Sequence, residues 1–215
     1  MKRYFITGTD TDCGKTFVTN QLVNHFPGSA AIKPIASGCE YSENQLVNSD
    51  ALIHQQQNHL PLDIINPWRF RLPVSPHLSA REDGASIDVL KVADYCLNLQ
   101  LNDIKRLFIE GAGGLMVPLN EQDTWLDFLK LTKIPVILVV GMKLGCINHT
   151  LLTQEVLEMN KIKCQGWIAN CKDRDMLMLE DNISTLEVKL KYPLLARTSY
   201  GGKISDICLS SLLLQ

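Results

Sequence analysis

With 215 residues, 46% of them hydrophobic and 20% charged, the chain can build one sizeable core and lies far from the charge-rich composition of disorder. Its formal charge of −2, spread over scattered lysines and arginines, excludes the electrostatic footprint of a nucleic-acid or anionic-membrane binder, so small molecules are the expected partners. No linker or composition shift divides the chain, and residues 1–215 are expected to form a single domain.

Residues 1–9 hold too few apolar side chains for a signal-peptide core or a spanning helix, which predicts a cytoplasmic protein with no membrane contact. Short apolar runs at 4–6, 30–32, 107–109 and 136–140 read as strands, followed by 166–169 and a weaker run at 194–196. Between them, apolar residues at three- and four-residue spacing predict helices over 16–25, 87–99, 124–131 and 147–159. Strands alternating with helices predict an α/β fold, a mostly parallel sheet with helices on both faces and loops at the carboxyl ends of strands where ligands bind. The glutamine-rich run at 55–58 and the proline-containing stretch at 61–76 predict an irregular excursion that covers the sheet edge or the site. Residues 173–191 are helix-compatible, and the apolar tail at 204–214 is expected to dock as a terminal helix.

The segment GTDTDCGKT, residues 8–16, follows the first strand and opens the first helix, the context a phosphate-binding loop requires. Backbone N–H groups can cradle phosphate oxygens, Lys15 can reach the outer phosphates and the Thr16 hydroxyl can ligate Mg²⁺. The loop is a variant, because the first glycine of the usual GxxxxGK[ST] spacing falls at Thr9, with Gly8 one position early. Glu110 ends another apolar run and stands where a Walker B carboxylate would hold the metal, and Gly111, Ala112 and Gly113 let the backbone approach phosphates. An acid that merely ends a strand is the alternative.

Lys33 follows the second strand and points to the same mouth as Lys15, where two ammonium groups would neutralise a transferring phosphoryl; a solvated surface lysine is the other reading. Asp50, in Asn48-Ser49-Asp50-Ala51, suits either a metal ligand or a helix cap. After the 136–140 strand, Gly145, Cys146, Ile147 and Asn148 open a helix whose free N–H groups suit an anion such as a substrate carboxylate, unless Asn148 is simply its cap. Asn170 can read a purine edge or form a turn. The seven cysteines lack a CxxC pair and the five histidines lack HxH or HxxxH spacing, which argues against a disulfide framework and a zinc site.

In this order, GTDTDCGKT, IKPIASG, NSDA, EGAGG, PVILVVGMKLGCINH and WIAN resemble the dethiobiotin synthetase family over residues 2–170, more loosely between 54 and 71 and thinly after 173. The resemblance implies a P-loop NTPase-like fold and a homodimer with its active site at the interface. It also implies conversion of 7,8-diaminopelargonic acid, CO₂ (or bicarbonate) and ATP into dethiobiotin, ADP and phosphate, with Mg²⁺ as cofactor. By the same resemblance Thr16, Asp50 and Glu110 hold Mg²⁺, Lys33 is the catalytic lysine, and Lys15 joins it in stabilising a carbamate and the transferring phosphoryl. Thr11 and Ser37 position the diamine, Thr11 taking part in catalysis. The nucleotide and its metal fall to Asp12, Cys13, Gly14, Lys15, Thr16, Phe17, Asp50, Glu110, Gly111, Ala112, Gly113 and Asn170. Gly145, Cys146, Ile147 and Asn148 of a neighbouring subunit would clamp the substrate carboxylate.

The chain departs from the family at Asp12-Cys13, where Glu-Val is common, and the family's purine loop is expected near residues 198–201. Asn170 with Asp173 has the NxxD spacing of a guanine reader, which keeps GTP open as an alternative to ATP. Two rival functions are compatible with the same phosphate loop. One is a second P-loop ligase that uses an acyl phosphate; the other is a partition-type regulatory ATPase, disfavoured by the absence of an early loop lysine and of a basic tail.

Overall fold

Central strands of this chain are apolar on both sides because helices cover both faces of the sheet. A computed structural model describes residues 1–206. In it β1 (Lys2–Gly8) sends Tyr4 and Ile6 into one core and Phe5 into another. The chain continues through α1 (Lys15–His25), β2 (Ser29–Ile32), β3 (Ile35–Ala36), β4 (Glu40–Ser42), β5 (Gln45–Val47) and α2 (Ser49–Asn58). Next come α3 (Leu62–Ile65), β6 (Trp68–Arg69), α4 (Pro76–Glu82), α5 (Val89–Asn98), β7 (Arg106–Gly114) and α6 (Trp125–Thr132). The last elements are β8 (Val136–Gly141), α7 (Cys146–Met159), β9 (Cys164–Asn170), α8 (Leu179–Lys189), β10 (Leu194–Thr198) and β11 (Ile204–Asp206).

Among the described residues seven strands form the main sheet in the order β11-β10-β9-β8-β1-β7-β2, parallel throughout except for the antiparallel β10–β11 pair. The phosphate-loop strand is central, so the loop after β1 opens between β7 and β8 at the carboxyl edge of the sheet. All six predicted strands and all four predicted helices form, each within a few residues of its expected bounds. Among the described residues no helix is long and apolar enough to cross a membrane.

Three expectations need correction. Residues 55–58 are the last turn of α2 rather than an irregular run, and Asn58 is tied to β2 through both its amide oxygen and nitrogen, which bond Ala31 N and Ala31 O. The stretch 61–76 is only partly irregular: it contains α3 and β6, whose backbone pairs with β3, before proline-rich residues 73–76 border the site. The tail does not begin as a helix, since Ile204–Asp206 pairs with β10 as an edge strand; the remainder of the expected tail helix lies outside the described residues.

One aromatic cluster anchors the face that carries α5 and α6. Trp125 is fully buried, lies 5.1 Å from the Phe5 ring and 5.4 Å from Phe128, and donates from Nε1 to the Ala112 carbonyl at 3.0 Å. Trp125→Ala removes that volume and leaves the carbonyl next to Gly111 and Gly113 without its partner. A loss of about 3–5 kcal/mol in urea-denaturation stability is the expected result, and a loss below about 1 kcal/mol would show that the cluster collapses around the gap.

Candidate active site

The loop between β1 and α1 can close tightly because glycines occupy the points of nearest approach. Gly14 adopts φ 88° and ψ 31° at the start of α1, a left-handed conformation that leaves the first N–H groups of the helix pointing into the loop. Asn170 at the end of β9 braces this turn: its Nδ2 donates to the Cys13 carbonyl at 2.8 Å and its Oδ1 accepts from Thr198 Oγ1 at 2.6 Å. Lys15 folds back over the loop and donates to the Asp10 carbonyl at 3.1 Å. Asp10 in turn pairs with Lys143 at 2.7 Å, which holds the Asp10 carboxyl below its usual range and links the loop to the segment after β8.

Register places the charged centre. Ile32 of β2 stands opposite Ile109 of β7, so the next residues, Lys33 and Glu110, emerge side by side at the carboxyl edge. Lys33 Nζ lies 3.0 Å from Glu110 Oε1 and also pairs with Asp50, while Thr16 Oγ1 donates to the same Glu110 oxygen at 2.7 Å. Glu110 is fully buried. Burial alone would push its carboxyl up, but the Lys33 charge, a hydrogen bond from His54 and the Thr16 hydroxyl hold it well below the usual carboxylate range. Burial likewise opposes the Lys33 charge, yet Glu110 and Asp50 together hold the ammonium above its ordinary value. Lys33 is therefore a buried, paired lysine and not a solvated surface group.

Thr11, Asp12, Gly14, Lys15, Thr16, Phe17, Lys33, Asp50, Glu110 and Gly113 line one cavity of about 390 Å³, so most of the residues singled out by sequence converge there. A second cavity of about 430 Å³ shares Thr11 and Gly113 and adds Ser37, Ala112 and residues 73–76. Cys13 is buried behind the loop with its Sγ 3.9 Å from Lys15 Nζ, and Gly111 packs against the Phe5 ring, so neither side faces the cavity. Asn170 lies behind Gly14 with both amide atoms engaged, and Lys172 reaches the Asp12 carbonyl at 2.6 Å. The paired carboxylates Asp50 and Glu110 and the Thr16 hydroxyl are hard oxygen donors of the kind Mg²⁺ takes alongside phosphate and water.

Two cap assignments are decided by geometry. Asn48, not Ser49 or Asp50, caps α2: its Oδ1 accepts from Asp50 N at 3.1 Å and Ala51 N at 3.4 Å, which frees the Asp50 side chain for Lys33. Asn148 does not cap α7, which begins at Cys146 after Gly145 with no side-chain cap, so its first-turn N–H groups lack an intrahelical partner. Gly145, Cys146, Ile147 and Asn148 line neither cavity around Lys33 in this chain, and the Cys146 side chain is buried.

A family model described as an AAA domain matches residues 2–206. The ATP-dependent dethiobiotin synthetase BioD of Legionella pneumophila strain Corby is 92% identical over 212 residues, covering 99% of this chain and 100% of that relative. This chain belongs to the dethiobiotin synthetase family. A more distant member, the ATP-dependent dethiobiotin synthetase BioD of Pseudoalteromonas translucida strain TAC 125, is 40% identical over 221 residues, covering 100% of this chain and 97% of its own length. Solved structures share the architecture alone. Cell division protein FtsY of Thermotoga maritima aligns with a TM-score of 0.57 at 11% identity, covering 100% of this chain and 68% of its own. MinD of Aquifex aeolicus aligns at 0.54 and 15%, covering 93% and 82%. Likeness to MinD is thus a P-loop NTPase fold in common, and family membership sets aside the partition-type ATPase.

Within this dethiobiotin synthetase fold, sequence reasoning missed His54. It is fully buried on α2, with Nε2 2.8 Å from Glu110 Oε2. The available signal was its spacing from Asp50, since residues four apart share one face of a helix.

Proposed function

We infer that the chain is the ATP-dependent ligase that forms dethiobiotin from diaminopelargonic acid, and we propose how its residues carry that reaction. The observation that carries the proposal is the buried contact of Lys33 with both Asp50 and Glu110 beside the phosphate loop. One amine of the diamine attacks CO₂, forming an N–C bond and releasing a proton to give a carbamate. A carbamate oxygen attacks the γ-phosphorus and ADP leaves; the second amine then attacks the carbamoyl carbon, phosphate leaves, a proton is lost and the ureido ring closes.

Each step moves negative charge, so its cost falls where fixed positive groups await it in a water-poor site. Lys15, reaching over the loop, and the N–H groups at the start of α1 hold the β- and γ-phosphates. Lys33 swings from its carboxylates toward the carbamate and the transferring phosphoryl. Thr11 and Ser37, which border the adjoining cavity, orient the diamine, and Ala112 and Gly113 allow it close to the backbone. Thr16, Asp50 and Glu110 would hold Mg²⁺, which would supply Lewis-acid neutralisation of the phosphate charge. Their two carboxylates and one hydroxyl are hard oxygen donors that would fit such an ion.

The position of Gly145 to Asn148 away from Lys33 supports a homodimer in which the partner subunit's α7 start receives the substrate carboxylate. The occupied amide of Asn170 supports a bracing role behind the loop, with the base set by residues near 198–201, and ATP as the nucleotide. A single cytoplasmic enzyme domain accommodates all of these roles.

The test is phosphate release from ATP or GTP with Mg²⁺ and bicarbonate, with and without 7,8-diaminopelargonic acid, while mass spectrometry follows the organic product. Diamine-dependent release with the dethiobiotin mass and a preference for ATP is expected. Release indifferent to the diamine would overturn the ligase reading, and equal or better turnover with GTP would overturn the nucleotide assignment.

A further inference from the structure

His54 sits where a hydrophobic residue would ordinarily fill the inner face of α2. Its ring is fully buried, its Nε2 is 2.8 Å from Glu110 Oε2, and its Nδ1 is buried with no hydrogen-bond partner. Burying an imidazole with one nitrogen unsatisfied is costly, so packing alone does not explain it. Glu110 divides its partners between its two oxygens. Oε1 receives Thr16 and Lys33, both lining the phosphate cavity, whereas Oε2 is turned back to His54. The ring nitrogen must be the donor in that contact, because a carboxylate only accepts.

We propose that His54 is a positioning residue for Glu110: its Nε2–H fixes Oε2 and thereby keeps Oε1 aimed at Thr16, Lys33 and the nucleotide's metal. The inference rests on the role of Glu110 given above. Asp50 and His54 are four residues apart on α2, so one helix face presents both the second carboxylate and the group that orients the first. Movement of α2 would disturb both carboxylates together. Partners that orient a ligand carboxylate typically contribute about 10- to 100-fold in activity or metal affinity.

The experiment compares His54→Leu, which removes the donor, with His54→Gln, whose amide nitrogen occupies roughly the Nε2 position. For the leucine variant kcat is expected to fall about tenfold or more, with the Mg²⁺ concentration for half-maximal nucleotide binding raised by a similar factor in calorimetric titration. The glutamine variant should recover both to within about threefold of wild type. A folded His54→Leu enzyme with unchanged kcat and Mg²⁺ dependence would overturn the proposal, as would a glutamine variant that falls as far as leucine. If the leucine variant does not fold, the decision passes to the wild-type ring proton, assigned by proton NMR through its absence from His54→Gln. A slowly exchanging Nε2–H signal that shifts on adding Mg²⁺ and ATP supports the assignment, and a signal indifferent to them overturns it. Wild-type dethiobiotin formation serves as the reference throughout, so a wild-type enzyme without that activity would indict the ligase reading and not His54.

Discussion

Lys33→Ala is expected to lower turnover by about 10² or more, because the transferring phosphoryl and the carbamate would lose the positive charge that we propose stabilises them. Stability should fall as well. Lys33 is buried and paired with a Glu110 that has no access to solvent, so its removal leaves a buried charge supported only by His54 and Thr16, at a cost of about 3 kcal/mol. The pH dependence separates the two effects. Glu110 is held well below its ordinary range in the folded wild type, so its contribution is present above the unfolded value and is lost as pH falls through the folded one. In the variant burial is no longer opposed by the Lys33 charge, and the carboxyl takes up a proton more readily. The stability gap between wild type and Lys33→Ala should therefore be full at pH ~7 and narrow as the pH falls from there to below ~4, the ordinary carboxylate value. Urea denaturation across that interval measures it, and turnover of the still-folded variant at neutral pH measures the catalytic loss. Near-normal turnover would remove Lys33 from the mechanism, and a gap independent of pH would remove Glu110 from the explanation of the stability loss.

Gly14→Ala should abolish tight nucleotide binding by a different route. A Cβ on Gly14 would lie 1.8 Å from Asn170 Nδ2, at a φ of +88° that L side chains rarely adopt. Asn170 would have to leave both the Cys13 carbonyl and Thr198, which releases the loop from β9 and β10. The expected result is an ATP affinity weakened about 100-fold and a stability loss of about 2–4 kcal/mol from backbone strain and two broken buried hydrogen bonds. Gly84→Ala is the control: its φ is +69° and nothing lies within 4 Å of the added carbon, so strain acts alone. Calorimetric titration with ATP should find Gly84→Ala binding like wild type. Equal affinity in both variants would show that the Asn170 brace does not shape the phosphate site.

The legibility of this site depended on how each residue acts. Lys15, Thr16 and Gly14 could be placed from sequence because a phosphate loop is local: strand, turn and helix follow one another, and the chemistry is carried by backbone N–H groups and two adjacent side chains. Glu110 and Lys33 were visible as polar residues ending apolar runs, but their alternatives stayed open until the β2–β7 register placed them together. Asp50 illustrates the limit of pattern reading, since a metal ligand and a helix cap look alike in sequence, and the cap of α2 proved to be Asn48, whose side chain accepts from Asp50 N and Ala51 N. For Asn170 and Asn148, a residue type compatible with several roles left the sequence silent on which hydrogen bonds it makes. The 55–58 run was misjudged because it is polar and lacks an apolar periodicity of its own, although glutamine is a good helix former, and Asn58, a weaker one, is held at the end of α2 by its tie to β2.

By itself, then, the sequence determined the α/β alternation, the strands and helices that carry it, the phosphate loop and, through ordered motifs, the dethiobiotin synthetase family. These follow from periodicity and short-range chemistry, both of which are written along the chain. Tertiary structure alone decided that Lys33 is buried between Asp50 and Glu110, that Asn170 braces the loop, that β11 closes the edge of the sheet and that His54 stands behind Glu110. The side-chain contacts among them join residues 17 to 157 positions apart and the strand pairing depends on which strand lies beside which, and both are set by sheet order and by the cost of leaving a buried polar group unpaired.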